Sequence, residues 1–281
     1  MDSFVFAAVL FAAACHAGWN AVIKVGFDPL ATTVLIAVGA GIVAVPLAPF
    51  VGVPVSEAWP WLIASVILHL GYYIGLIEAY RAGDMGQVYP IARGSAPLMT
   101  ALLSPFLIGE HVGPIALVGI IILGSGIFLL SLRGGRDLAR IDRRAVGFAL
   151  FTAATICAYS LVDGIGARVS GNPHAYTVWL MMQNGIVMLL YGLARRREAF
   201  MAEVRFHWKS GLIAGALSFA AYGIVIWAMT QAPIALVAAL RETSVLFGAA
   251  IAVVFLKEPL RATRIVAAVM IVLGLALIRL Y

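Results

Sequence analysis

Residues Gln87–Glu110 read QVYPIARGSAPLMTALLSPFLIGE, an apolar run interrupted by a single arginine, Arg93. The run is long enough to cross a bilayer, for which ~20 residues suffice. The pattern returns 148 residues later as Ala235–Glu258, ALVAALRETSVLFGAAIAVVFLKE. Arg241 then stands opposite Arg93, and Glu258 opposite Glu110. Two copies of one unusual segment at a fixed offset indicate an internal repeat. An arginine inside a lipid-spanning helix costs ~2.5–3.5 kcal/mol on insertion scales. A chain that carries that cost at matched places in both copies is expected to turn both arginines inward and to use them.

Composition agrees with a membrane setting. Of the 281 residues 63% are hydrophobic and 11% charged, whereas a soluble domain carries about a quarter charged residues. Apolar runs recur from end to end, so the class is all-α integral membrane protein, without room for a soluble domain. The net charge of +6 belongs to loops, where basic residues set orientation; no nucleic-acid partner follows from it. Cys15 and Cys157 lie inside apolar runs with no zinc or redox spacing, so they read as small packing residues, and neither a metal nor a cofactor is expected. The N-terminal MDSFVFAAVL has no basic residue ahead of its apolar run, and this segment is read as the first span, not a cleaved signal.

Ten spans are expected, near residues 3–23, 28–50, 59–80, 85–108, 113–132, 145–166, 174–194, 210–231, 233–254 and 260–280. Turn residues such as Asp28-Pro29, Gly113-Pro114, Gly171-Asn172-Pro173 and Ala232-Pro233 separate them. One set of loops holds fifteen of the nineteen Lys and Arg, including Lys24, Arg81, Arg133–Arg144, Arg195–Lys209 and Lys257–Arg264; the other holds Arg168 and Arg279. The positive-inside rule then puts the first set in the cytoplasm and both termini outside, in the periplasm. The halves align: Gly75 with Gly223, Arg93 with Arg241 and Gly126 with Gly274 at offset 148, and Tyr159-Ser160 with Trp19-Asn20 at offset 140. Residues 1–132 form a first five-helix repeat, 133–144 a basic cytoplasmic linker, and 145–281 a second repeat. An odd number of helices per half makes the second copy inverted, which places two inverted five-helix repeats around a central cavity. One chain then holds both orientations and can act as a monomer in the lipid bilayer.

The segments Tyr89–Pro97 (YPIARGSAP), Ile108-Gly109-Glu110, Leu240–Ser244 (LRETS) and Leu256–Pro259 (LKEP) resemble EamA-type exporters of the drug/metabolite transporter superfamily, over essentially the whole chain. The resemblance implies export of small metabolites, often amino acids, from the bacterial cytoplasm across the inner membrane, and aromatic amino-acid exporters are the nearest group suggested. Arg93 and Arg241 stand at the motif positions. Ala238 replaces the motif proline matched by Pro90. Smaller relatives that export drug cations use a glutamate in their first helix, where this chain has His16 and Asn20. A proton-coupled exporter of lipophilic cations is the alternative reading.

Polar residues inside the spans fall on stripes, as they must to face protein or a wet cavity. His16, Trp19 and Asn20 share a face of the first helix; His69, Tyr72, Tyr73 and Tyr80 of the third; Tyr89, Pro90, Arg93 and Pro97 of the fourth; Tyr159, Ser160 and Asp163 of the sixth; Tyr222 of the eighth. With Arg241, Glu242 and Ser244 these make a cavity suited to a flat, mostly apolar small-molecule substrate held by a few hydrogen bonds. Arg93 can grip a carboxylate or pair with Glu242. Each lies at roughly 12–14 Å from its own end of the membrane, so the two are expected to meet near the centre. His16 and His69 are candidates for proton coupling. Asp163 reads as a gate or interfacial residue near the outer surface. Pro90 and Pro97, with Pro105, mark the fourth helix as the one that bends. Glu78 is expected to pair with Arg81. Cys15 and His16 are adjacent and so diverge on a helix, and no enzyme dyad results.

Overall fold

A computed structural model describes the backbone of residues 1–23, 29–83, 85–131, 142–254 and 262–280. Most of the linker, together with Lys24, Lys257, Glu258, Pro259 and Arg261, lies outside the described residues, as do the side chains of Asn20 and Tyr89. Every described regular element is helical. They are α1 (Ser3–Ile23), α2 (Pro29–Ala44), a short 3₁₀ turn Val45–Leu47, α3 (Ala48–Val51), a second 3₁₀ turn Ser56–Ala58, α4 (Trp59–Ala82), α5 (Met85–Leu107), α6 (Pro114–Ser131), α7 (Arg143–Val169), α8 (Pro173–Gln231), α9 (Ile234–Arg241), α10 (Ser244–Val254) and α11 (Ala262–Leu280). Seven described runs are long and apolar enough to cross a membrane, and Ser3–Trp19 and Pro114–Leu130 are shorter apolar helices.

Helix ends follow local chemistry. Asp2 caps α1, its Oδ1 accepting from the Phe4 amide at 2.8 Å, and these backbone donors hold its carboxyl below the ordinary carboxylate range. Gly171 takes φ +65° after α7, a backbone that glycine adopts without strain. Asn172 then caps α8, accepting from the amides of His174 and Ala175 at 3.1 and 3.2 Å, and Pro173 fills the first helical position, whose amide needs no partner.

The spans near 174–194 and 210–231 correspond to two apolar runs, Pro173–Arg195 and Val204–Gln231, joined by helical backbone throughout Pro173–Gln231. A straight helix of 59 residues would reach roughly 90 Å. Yet Gly41 of α2 lies against Gly185 while Gly39 lies against Gly211, and Tyr176 and Tyr222 reach the same carboxylate. The two arms of α8 therefore fold back on each other through the basic segment near Arg195–Arg205. The two copies of the repeated segment differ in continuity. α5 runs unbroken through Pro90, Pro97 and Pro105, whereas its repeat counterpart breaks between α9 and α10 at Glu242-Thr243. The break is a tightened turn: Glu242 and Thr243 donate to Ala239 and Leu240 carbonyls at 3.1 Å, and Thr243 Oγ1 donates to Leu240 O at 2.7 Å. Three-residue bonds and one hydroxyl thus satisfy the groups a helix end leaves open.

All eight residues of α9 are buried, and the largest apolar cluster gathers around them with Val9, Ile120, Leu123, Val225 and Met229. On α11 the stripe Ala267, Ile271, Gly274, Ile278 is buried while Ile265, Val266, Val269, Val272 and Leu273 are exposed, the division expected of a helix with one face to lipid. Where α6 crosses α11, a Cβ added at Gly119 would lie 2.8 Å from Gly274 O, and one at Gly126 would lie 3.0 Å from Ala267 O. Under the 148-residue offset these two contacts exchange into each other, the reciprocity a two-fold axis imposes. The chain ends also meet: Arg279 of α11 donates to Met1 O and, at 2.5 Å, to Ser3 Oγ.

Small residues bring α2 and α8 into backbone contact. A Cβ at Gly215 would fall 2.7 Å from Gly39 Cα and closer still to neighbouring α2 atoms, none of them at the end of a flexible side chain. Gly215→Ala is therefore expected to destabilise the detergent-purified protein by about 1–3 kcal/mol, the range for overpacking, read as a lowered thermal midpoint. Gly147 in α7 has open space where its Cβ would be; Gly147→Ala should be neutral or stabilising by up to about 1 kcal/mol.

Candidate functional site

The break after α9 delivers Arg241 and Glu242 to the middle of the bundle, and α5 delivers Arg93 from the other repeat. Glu242 is fully buried, and Arg93 and Arg241 are 2% and 3% exposed. Arg93 Nε lies 2.5 Å from Glu242 Oε2, off the N–H axis of a linear hydrogen bond. Arg93 Nη2 donates to Ser244 Oγ at 3.2 Å. The other carboxylate oxygen, Oε1, stands 3.4 Å from both Nε and Nη2 of Arg241. One carboxylate thus bridges two guanidiniums, and the trio carries one net positive charge. Arg241 Nη1 is buried with no hydrogen-bond partner among the described residues. The depth argument that brings Arg93 to Glu242 matches this geometry.

Aromatic rings pack against Arg241. The Arg241 guanidinium lies 5.6 Å over the Tyr159 ring. Tyr159 stacks on His69 with centroids 4.2 Å apart, and Tyr72 and Tyr222 meet it edge-on at 5.7 and 6.1 Å. His69 touches Tyr73 at 6.3 Å and Tyr222 at 5.5 Å. On α1, His16 and Trp19 pack edge to face at 4.9 Å, His16 lies within the electrostatic reach of both Arg93 and Arg241, and the buried Nε1 of Trp19 has no hydrogen-bond partner among the described residues. α1, α4, α5, α7, α8 and α9 all contribute to this centre.

Not every candidate reaches it. Tyr80 packs away from the centre, against the cluster of Ala79, Val88, Ala92, Ala145 and Ala149. Ser160 turns its hydroxyl back onto Ile156 O at 2.6 Å. Pro90 and Pro97 are buried within α5. Glu78 pairs with Arg81 at 2.6 Å, as expected. Asp163 is fully buried. Tyr176 donates to its Oδ1 at 3.0 Å and Tyr222 donates to its Oδ2. Sequence reading missed Tyr176, because it sits at the mouth of a span with no polar stripe to draw attention to it.

Also missed was a clamp at the sparsely charged end. Arg168, at the end of α7, reaches Glu110 Oε1 with Nη1 at 2.6 Å, Met229 O with Nε at 2.9 Å and Ala232 O with Nη2 at 3.1 Å. Glu110 Oε2 accepts from the Ile234 amide at 2.8 Å, which places a carboxylate at the N-terminus of α9, where the helix dipole favours it. Two residues thus tie the end of α5 to α7 and to the turn before α9. At the basic end a cavity of about 210 Å³ is lined by Leu30, Ile77, Arg81, Tyr191 and Arg195. Arg168→Met removes charge-assisted bonds that are each worth about 1.5–3 kcal/mol when well buried, less here because the clamp is partly exposed. A cysteine at Ala232, in a background without Cys15 and Cys157, should then be labelled about tenfold faster by a membrane-impermeant thiol reagent; an unchanged rate would show that the clamp closes nothing.

A solved crystal structure superposes with a TM-score of 0.80 at 18% identity, covering 99% of this chain and 96% of that one, so the fold is shared. No curated protein matches. The model of the EamA-like transporter family matches twice, over residues 3–132 and 143–280. The chain belongs to the EamA-like transporter family and is a multi-pass membrane transporter of small molecules.

Proposed function

We propose that the protein exports small organic metabolites bearing a carboxylate, foremost aromatic and other hydrophobic amino acids, across the bacterial inner membrane by alternating access between two inverted repeats. In this reading residues 1–132 and 145–281 form the two five-helix repeats, 133–144 a cytoplasmic linker, and both termini face the periplasm. The meeting of Met1, Ser3 and Arg279 supports an even number of crossings. The chain works as a monomer and performs no covalent chemistry.

The observation that carries the reading is Arg241 Nη1, a buried charged donor with no acceptor among the described residues. Leaving such a donor unmet costs about 1–3 kcal/mol or more. A solute carboxylate is the group that would meet it, aided by Trp19 Nε1. Arg93 is held by Glu242 and Ser244 and keeps the site in shape. His16, His69, Tyr73, Tyr159, Tyr222 and Ser244 surround the solute, with Tyr80 on its route from the cytoplasm. Pro90 and Pro97 leave α5 pliable where the repeats rock. Two guanidiniums against one carboxylate repel a lipophilic cation, which weighs against the drug-exporter alternative.

Proteoliposomes assayed in parallel with labelled phenylalanine, tryptophan, leucine and a lipophilic cation decide between the two. Saturable flux of the amino acids with none of the cation is expected. Flux of the cation alone would overturn the reading in favour of drug export.

A further inference from the structure

We infer that Asp163, with His69 opposite it, is a proton-binding site that couples export to proton entry; the coupling, though not the proton site, rests on the solute reading above. Glu242 shares its burial with two arginines. Asp163 is equally buried, yet among the described residues no arginine or lysine pairs with it. Its two oxygens are met by the neutral phenols of Tyr176 and Tyr222. A carboxylate buried in a membrane-spanning bundle without a fixed cation either takes up a proton or is balanced by one held close by.

The second holder is His69. Its Nδ1 lies 3.0 Å from the Ser65 carbonyl oxygen and 3.1 Å from Ser65 Oγ. A carbonyl only accepts, so Nδ1 carries a hydrogen and Nε2 is left to bind or release a proton. The imidazole lies edge-on to Tyr222, whose hydroxyl is already on Asp163. His69 and Ser65 of α4 act on Asp163 through charge and a hydrogen bond, Tyr176 and Tyr222 reach it from the two arms of α8, and Tyr159 lies one turn away on α7. α9 contributes Arg241, acting across the Tyr159 ring, and α5 contributes Arg93, committed to Glu242.

Position gives the proton its effect. Asp163 lies one turn from Tyr159 and five residues from Arg168 along α7, between the central trio and the outer clamp. As a carboxylate it draws both arms of α8 onto α7. Protonation removes the charge that holds the two phenols and so weakens both ties at once. A proton entering from the outside when the clamp is open, and leaving to the inside in the other conformation, converts the proton gradient into solute export.

The test has a readout that needs no solute. In infrared difference spectra of the purified protein, a protonated-carboxyl C=O band that appears as pH is lowered and disappears reversibly as it is raised is expected, and it should be missing in Asp163→Asn. The same band in the variant, or no such band in the wild type, overturns the proton site. In proteoliposomes the wild type should accumulate labelled phenylalanine above equilibrium when the interior is acidic. Asp163→Asn should retain equal-pH counterflow within about twofold while losing that accumulation. Wild-type counterflow indifferent to the gradient would overturn the coupling. Absence of counterflow for every solute tested would overturn the solute reading and the coupling built on it, while the infrared band still decides the proton site.

Discussion

Glu242→Gln is expected to lose far more folded protein than Arg93→Met, although the two side chains form one ion pair. The reason is the third member. Without Glu242, Arg93 and Arg241 are left as two buried cations with no counter-charge. Without Arg93, Glu242 and Arg241 still balance. Removing one partner of a buried pair costs about 3–5 kcal/mol because an uncompensated charge remains. The full cost should fall on Glu242→Gln and about half or less on Arg93→Met. Combining the two substitutions removes one excess cation and should recover part of the loss, so the double variant should lie above Glu242→Gln alone. Monodisperse yield and thermal midpoint in detergent report the order, and the reverse order would break the bridged-carboxylate account.

Arg241→Gln should do the opposite: keep the fold and lose the function. It leaves Arg93 and Glu242 as a balanced pair, 2.5 Å apart, and removes the donor assigned to the solute carboxylate. A hydrogen bond to a charged group contributes about 1.5–3 kcal/mol, so the half-saturating concentration of phenylalanine should rise about tenfold to a hundredfold with the thermal midpoint little changed. Arg241→Lys should recover only part of this, since an ammonium lacks the planar fork. Concentration-dependent counterflow in proteoliposomes measures it. An unaltered half-saturation in Arg241→Gln would move the solute away from this residue.

What could be read without coordinates depended on whether a physical constraint reached along the chain. The bilayer demands long apolar runs, so most spans were legible, and the repeat made Arg93 and Arg241 stand out. Depth from the membrane surface was enough to bring Arg93 to Glu242. Turn chemistry at Gly171-Asn172-Pro173 marked a boundary, because each residue there has a conformational reason. Prolines in α5 announce lost hydrogen bonds, yet helical backbone runs through all three, while the break at Glu242-Thr243 has no proline to mark it. The continuous backbone of α8 was hidden because its basic bend looks like a loop. The burial of Asp163 was not legible, because the two tyrosines that meet its carboxylate come from distant parts of α8 and no local pattern links them. The Glu110–Arg168 clamp joins residues far apart in the chain, and its carbonyl acceptors carry no sequence signature at all.

The central claim is that a buried, net-positive trio holds the carboxylate of a small solute that the two repeats expose alternately. Counterflow of labelled phenylalanine by the wild-type protein, run against excess 3-phenylpropionate or excess phenethylamine, tests it most directly. The account predicts flux stimulated by unlabelled phenylalanine on the opposite side, suppressed by phenylpropionate, which keeps the carboxylate, and untouched by phenethylamine, which keeps only the ammonium. Suppression by phenethylamine with none by phenylpropionate would contradict it.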